Sequence, residues 1–366
     1  MKFVVSQNAL QNELQFLQGI AEKKKTIPIL SNILLRAESD FLTLAATDLE
    51  VSLTGGCEAR VEEAGGITVS AKKIFEVVRS LEGDEISFSL SDSNWLEITC
   101  GNSFFRLVGL SPDDFPDVPV NDFSSVETIG HDAFKDLISR TIFAVTQEDA
   151  RYALNGALLE MDSTSIRMVA TDAHRLAMVE EASSSGAEVR AIVPKKTLTE
   201  LRNLASEDEM LFAQDEHHLF FKIGHRVLAT RVIEGQFPSY EKVIPAENPL
   251  EIVFAKEPMA GAIRRVSLLA SERSRAVRFK FGGGEATISS SNPELGEAIE
   301  TVAVQYEGEE LEVSFNAQYV LDFLSAVDGE EVVFRLKDPA SQGLLEPREQ
   351  SSESSRYKYV IMPMRM

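Results

Sequence analysis

Asp172, His174 and Arg175 put a carboxylate, an imidazole and a guanidinium together in the stretch Ile166 to Met178. On a strand, Asp172 and His174 would face the same way, and with Arg175 holding an anion they could run acid–base chemistry in a hydrolase or metal-dependent nuclease. The rest of the sequence does not equip such an enzyme. It has no Gly-x-x-x-x-Gly-Lys-Ser/Thr phosphate loop, no His-Glu-x-x-His pair, no Gly-x-Ser-x-Gly elbow and no carboxylate cluster of metal-ligand spacing. The five histidines form no constellation, and His217, His218 and His225 fall in a polar, hairpin-like stretch expected to face solvent. We expect no catalytic residue, no metal site and no cofactor.

The stretch has counterparts on both sides. Ala46-Thr47-Asp48-Leu49 stands 124 residues before Ala170-Thr171-Asp172-Ala173, and Ser291-Asn292 takes the place of Thr171-Asp172 after 120 residues. A recurring Thr-Asp pair reads as a structural turn, because an Asp side chain readily satisfies turn amides. Only Ala173-His174-Arg175-Leu176 sets the middle copy apart. A repeat scaffold that binds proteins alone stays open as a further reading.

Elements recur with the same rhythm. Short apolar strands end at Val5-Ser6, Val69-Ser70, Ile129-Gly130, Val193-Pro194, Val253-Phe254 and Val313-Ser314, in steps of 64, 60, 64, 60 and 60 residues. Each is followed by a segment of helical period, such as Leu10, Leu14 and Leu17, or Phe134, Leu137 and Ile138. Period-two alternation fills the gaps, as in Ile86, Phe88 and Leu90. The pattern is a strand, a helix and several antiparallel strands, six times over, in an α+β chain. Pro-rich stretches at Asp114 to Pro119 and Gln236 to Tyr240, 122 residues apart, divide it into three domains, 1–122, 123–247 and 248–366. Polar Pro339 to Arg356 reads as a mobile loop without assigned function.

A chain of 366 residues suits two or three cores. Cys57 and Cys100 supply neither a disulfide framework nor a zinc cluster. No signal peptide or membrane-spanning run is present, so a soluble, cytoplasmic protein with no membrane partner is expected. The net charge of −22 argues against bulk electrostatic binding of nucleic acid. Basic residues nevertheless gather at the predicted helices, among them Lys72, Lys73 and Arg79, Lys135 and Arg140, and Lys195, Lys196 and Arg202. Six helices, each roughly 10 Å wide, would close around a hole of only about 10 Å, whereas twelve from two chains leave about 28 Å, enough for a duplex.

Several motifs then carry a resemblance across the whole chain. They include Ile27-Pro28-Ile29-Leu30, Ala46-Thr47-Asp48-Leu49-Glu50, Arg151-Tyr152-x-Leu154-Asn155-Gly156 and Ala170-Thr171-Asp172-x-His174-Arg175-Leu176-Ala177. Phe237-Pro238-x-Tyr240, Ser291-Asn292-Pro293-Glu294 and the terminal Met362-Pro363-Met364-Arg365 complete the set. In these the chain resembles the bacterial DNA polymerase III beta subunits, the sliding clamp family. The resemblance implies three repeated clamp domains, each of two strand–helix–strands units, forming half of a head-to-tail dimeric ring with helices lining the hole and sheets outside. It implies a non-catalytic homodimer that encircles double-stranded DNA without sequence preference and is loaded by a clamp loader complex. It also implies tethering of the replicative polymerase and other polymerases or repair proteins that carry a clamp-binding motif.

The same resemblance assigns residues. The partner-peptide groove falls on Leu154, Thr171, His174, Arg175, Leu176, Pro238, Lys242, Val243, Val360, Ile361, Met362, Pro363, Met364 and Arg365, with His174 and Arg175 as donors to a peptide backbone. DNA-facing positions are Lys24, Lys72, Arg79, Arg151, Tyr152, Lys196 and Arg202. The dimer interface takes Phe105 and Leu107 from one chain, Leu268 and Leu269 from the other. Ala173 and Lys242 depart from a frequent glycine and arginine, and Ala153 from a second aromatic.

Overall fold

The computed structural model describes residues 1–21, 27–91, 93–124, 126–146, 153–183, 188–204, 209–350 and 355–365. Strand, helix and three strands follow one another six times without exception. The first third holds β1 (Lys2–Ser6), α1 (Gln7–Ile20), β2 (Asn32–Glu38), β3 (Phe41–Thr47) and β4 (Val51–Glu63), then β5 (Gly65–Ser70), α2 (Ala71–Ser80), β6 (Glu85–Ser91), β7 (Trp95–Cys100) and β8 (Ser103–Leu110). The second holds β9 (Glu127–Ile129), α3 (His131–Thr141), β10 (Gly156–Met161), β11 (Ser165–Thr171) and β12 (Arg175–Ala182), then β13 (Val189–Pro194), α4 (Lys195–Asn203), β14 (Met210–Gln214), β15 (His218–Ile223) and β16 (Arg226–Arg231). The last holds β17 (Leu250–Ala255), α5 (Lys256–Val266), β18 (Ala276–Gly282), β19 (Glu285–Asn292) and β20 (Gly296–Gln305), then β21 (Leu311–Asn316), α6 (Ala317–Ala326), β22 (Glu331–Leu336), β23 (Gly343–Pro347) and β24 (Arg356–Ile361).

The six helices begin at 7, 71, 131, 195, 256 and 317. Two strands run past the dipeptides that the sequence pattern marks as their ends: β17 continues to Ala255 and β21 to Asn316. In β21 the reason is a cap, since the Asn316 side chain accepts from the Gln318 and Tyr319 amides and so fixes where the helix starts. Ser6 does the same for α1 through the Ala9 amide. Each helix buries the apolar face that its periodicity announces, Leu10, Leu14 and Leu17 in α1 and Met259, Ile263 and Val266 in α5.

By contact density the chain forms two units, residues 1–135 with 196–232, and residues 136–195 with 233–366. Each carries one twelve-stranded sheet, ordered β1-β6-β7-β8-β5-β2-β3-β4-β16-β15-β14-β9 in the first and β13-β10-β11-β12-β24-β23-β22-β17-β20-β19-β18-β21 in the second. Each sheet joins two repeats, and both do so in the same way. In the first, β4 of the first repeat takes β16, the last strand of the second, and in the second, β12 takes β24, the last strand of the third. The corresponding strand of the third repeat is β20, and the last strand of the first is β8. Among the described residues β20 pairs with β19 over Gly296 to Ala303 and with β17 only at Val304 and Gln305. Likewise β8 pairs with β7 over Ser103 to Val108 and with β5 only at Gly109 and Leu110.

Pro339 to Arg356 is not a single loop. Gly343–Pro347 is β23, hydrogen-bonded between β22 and β24 with Leu344 and Leu345 buried, while 351–354 lie outside the described residues. Two leucines with a paired backbone outweigh the polar composition around them. Leu345→Ala should accordingly cost about 3 kcal/mol in urea unfolding, as for a core leucine, rather than the few tenths typical of a surface loop. An unchanged midpoint would return the segment to a loop.

Candidate functional site

The Thr-Asp motif folds as a turn, twice in the same way. Asp48 Oδ1 accepts from the Glu50 and Val51 amides and Thr47 Oγ1 from Leu49. Asp172 Oδ1 accepts from His174 and Arg175 at 3.0 Å each, and Thr171 Oγ1 accepts from Ala173 and donates to the Arg175 carbonyl. Leu49 and Ala173 sit at φ 77° and 72°, a left-handed conformation that suits glycine and explains why a glycine is at home there. Asp172 and His174 therefore do not share one face of a strand but lie in the turn between β11 and β12, and the carboxylate is occupied by backbone amides. The acid–base reading of the pair falls with that geometry.

Arg175 is a strut. Its Nε donates to Asp172 at 3.0 Å, Nη1 to Asp322 at 2.5 Å and Nη2 to the Phe143 carbonyl at 2.6 Å, and the guanidinium lies over the Tyr319 ring at 4.2 Å. Each of the three nitrogens is engaged once, which fixes the guanidinium in place and leaves one N–H on each of Nη1 and Nη2. The pattern could not reveal this, because Asp322 and Phe143 are remote in sequence. His174 is exposed, and its carbonyl accepts from the Met362 amide at 2.9 Å. That bond, with Met364 N–H to the Ser314 carbonyl at 2.8 Å, lays the terminal segment beside the turn.

Next to the turn and tail lies one apolar cluster. It joins buried Leu154, Leu176 and Val360 to Leu158, Val169, Phe237, Tyr240 and Leu344, with Val243 and Ile244 packed against it half-buried. Thr171 and Ile361 are buried beside it, Pro363 and Met364 half-buried, while Pro238, Lys242, Met362 and Arg365 face outward. Backbone closeness makes this possible. A Cβ on Gly156 would stand 2.3 Å from the Val193 carbonyl, so only glycine lets β10 approach β13 here. Sequence reasoning missed Leu344 and Ile244 altogether and treated Phe237 and Tyr240 as a connector and a family motif, without placing them in this cluster. A Phe-Pro-x-Tyr sequence in a polar linker was the available signal.

Tyr240 is held from below. Its hydroxyl donates to Glu160 Oε2 at 2.6 Å and accepts from Arg167 Nη1 at 3.0 Å, while Arg167 also pairs with Glu180. Burial, then the bond to Glu160, pushes the Tyr240 phenol up to about 12.

Three family models of the DNA polymerase III beta subunit match the chain: its N-terminal domain over residues 1–119, its central domain over 128–239 and its C-terminal domain over 241–365. The chain belongs to the DNA polymerase III beta subunit family. Among its relatives are the beta sliding clamps of Caulobacter vibrioides, 38% identical, and Pseudomonas putida, 35% identical, each aligned over 100% of both chains. The crystal structure of the DNA polymerase III subunit beta from Pseudomonas aeruginosa superposes with a TM-score of 0.92 at 36% identity, covering 100% of both chains. That of the Bartonella birtlesii sliding clamp bound to griselimycin does so with a TM-score of 0.95 at 31% identity, again over 100% of both. The architecture is thus the three-domain α+β clamp fold, and the protein is a DNA sliding clamp, the non-catalytic processivity subunit of DNA polymerase III.

Within the clamp the basic positions divide. Lys72 and Arg79 stand exposed on α2, Lys72 within 3.8 Å of Glu76, and Arg202 is half-buried in the last turn of α4. Lys196 is already engaged: its Nζ donates to Asp48 at 2.5 Å and to the Ile20 carbonyl at 2.6 Å, tying α4 to the first Thr-Asp turn. Lys24, Arg151 and Tyr152 lie outside the described residues. Of the interface positions, Phe105 and Leu107 are half-buried on β8, Leu268 is 76% exposed and Leu269 half-buried. Of the three histidines expected to face solvent, His217 and His225 are exposed and His218 is half-buried, and His225 Nε2 reaches Glu13 at 3.0 Å. Among the described residues no group of three or more His, Cys, Asp or Glu could hold a metal, and no helix is long and apolar enough to cross a membrane.

Two predictions follow from the groove chemistry. Arg175→Ala strands two carboxylates and should lower stability by about 3 kcal/mol, whereas His174→Ala should stay within about 0.5 kcal/mol in the same urea titration. Tyr240, raised from 10.0 to about 12, is neutral in the fold and contributes stability that is whole below pH 10 and lost as pH rises toward 12. Tyr240→Phe should therefore flatten part of the alkaline loss of stability; identical profiles would remove this coupling.

Proposed function

We propose that two chains close head to tail into a ring of six clamp domains, bounded near residues 122 and 247, around duplex DNA. The observation that carries the reading is the joining rule. The strand after the Thr-Asp turn takes the last strand of the next repeat twice within the chain, and the third application leaves β20 and β8 unmatched along one edge. A second copy supplies both missing partners, and the operation then closes. Leu268 and Leu269 beside β20 would receive Phe105 and Leu107 from β8.

In this ring the twelve helices line the hole, with Lys24, Lys72, Arg79, Arg151, Tyr152 and Arg202 toward DNA. A few mobile cations give weak, salt-sensitive phosphate contact without base readout. Retention is topological, so a net charge of −22 is no obstacle. A clamp loader opens the ring in the cytoplasm, and the replicative polymerase and other polymerases or repair proteins share the groove through short motifs. Burying two apolar anchors on the Leu154–Leu176–Val360 floor would contribute about 3–6 kcal/mol before ordering costs, which suits exchangeable, micromolar binding.

Loaded protein should remain on nicked circular DNA in high salt and leave when the circle is cut. Equal loss before and after cutting contradicts topological binding. Leu269→Asp should yield monomers by sedimentation, and an undiminished dimer would remove Leu269 from the joint.

A further inference from the structure

We infer that Met362 is an oxidation site, at which hydrogen peroxide converts the thioether to the sulfoxide and so weakens partner binding without unfolding the protein. The inference rests on the partner groove proposed above. Sulfur oxidation is governed first by access, since a peroxide oxygen must reach a lone pair of the thioether. Among the described methionines, Met161, Met168, Met178, Met210 and Met259 are buried, none more than 6% exposed. Met1 and Met364 are half-buried, and Met362 alone is exposed, at 36%.

The register of β12 with β24 sets its place. Leu176 stands opposite Val360 and Arg175 opposite Ile361. The Met362 amide donates to the His174 carbonyl at 2.9 Å, so the pairing runs one step past the end of β24 and sets Met362 opposite His174. Alternation along the strand returns Met362 to the face of Val360, which belongs to the apolar cluster with Leu176 and Leu344. Ile361 and Arg175 take the other face, where Ile361 is buried and Arg175 meets the Phe143 carbonyl and the Tyr319 ring. Met362 therefore stands at the rim of the cluster, on a backbone that is held, with water beside it.

In the reaction a sulfur lone pair takes the near oxygen of hydrogen peroxide. The S–O bond forms as the O–O bond breaks, the proton on the transferred oxygen passes to the departing hydroxide, and water leaves. Sulfur is oxidised by two electrons and the peroxide is reduced. A soft, apolar side chain thereby gains a polar acceptor oxygen. At the exposed rim of the free protein water solvates that oxygen, so the fold bears no added cost. An apolar partner anchor seated on Leu176 and Val360 has to strip that water and offers no donor in return, so the cost falls on binding. Met178 lies in the same cluster but is buried, and it stays reduced while the fold stands. Conversely, a bound partner covers the Met362 sulfur and slows its oxidation.

Peroxide treatment of the full-length protein tests the site, with mass mapping of each methionine, urea unfolding, and binding of a labelled peptide carrying the clamp-binding motif of the replicative polymerase. Met362 should gain one oxygen before the five buried methionines do. The Kd for the peptide should then rise about tenfold while the urea midpoint holds. Methionine sulfoxide reductases of both epimer specificities should restore binding, and saturating peptide should slow oxidation at Met362. Met362→Leu, whatever its starting affinity, should keep that affinity through the same treatment. Full oxidation of Met362 with an unchanged Kd overturns the inference, as does a Met362→Leu protein that loses affinity as far as the native chain does. A reduced native protein that fails to bind the peptide overturns the groove itself.

Discussion

Backbone hydrogen bonding at strand edges governs this molecule. An edge strand carries a row of N–H and C=O groups that water or another strand must satisfy, and a repeat protein meets that demand by handing each edge to its neighbour. Here the strand leaving the Thr-Asp turn receives the last strand of the following repeat, β4 with β16 and β12 with β24. The continuity of each twelve-stranded sheet follows from that pairing. Because β24 lies beside β12, the terminal segment is carried to the His174 turn, where Met362 bonds to it.

The turn itself shows how a local hydrogen-bond demand can imitate an active site. Asp172 answers two amides and Arg175, and Arg175 in turn reaches Asp322 and Phe143. These bonds make the carboxylate and guanidinium structural. The His174 side chain and the apolar cluster beyond take no part in that network. Tyr240 ties that floor to the Glu160–Arg167–Glu180 ion network, so the groove is braced on the sheet rather than on a loop.

What the sequence discloses is what has a period. The six helices, the strands between them and the repeated turn could be read because Leu10, Leu14 and Leu17, or Thr47-Asp48 and Thr171-Asp172, recur at fixed intervals. The clustering of Leu154, Leu176 and Val360 was reachable only through the family motifs, since nothing periodic links them. Partners distant in the chain were not legible. Lys196 looked like a free cation until Asp48 and the Ile20 carbonyl were found around it, and β23 looked like a loop because its two leucines sit among polar residues. In each case a long-range contact decided the role, and composition carries no trace of it.

The pairing rule stands or falls on the two open edges. Hydrogen–deuterium exchange of the backbone amides in 103–108 and 296–303, followed as the protein is diluted through its dimer dissociation range, reads them directly. The account predicts slow exchange in both segments when dimeric and fast exchange in both when monomeric, with β4–β16 and β12–β24 protected throughout. Fast exchange of 103–108 and 296–303 in a sample that sediments as a dimer would contradict it.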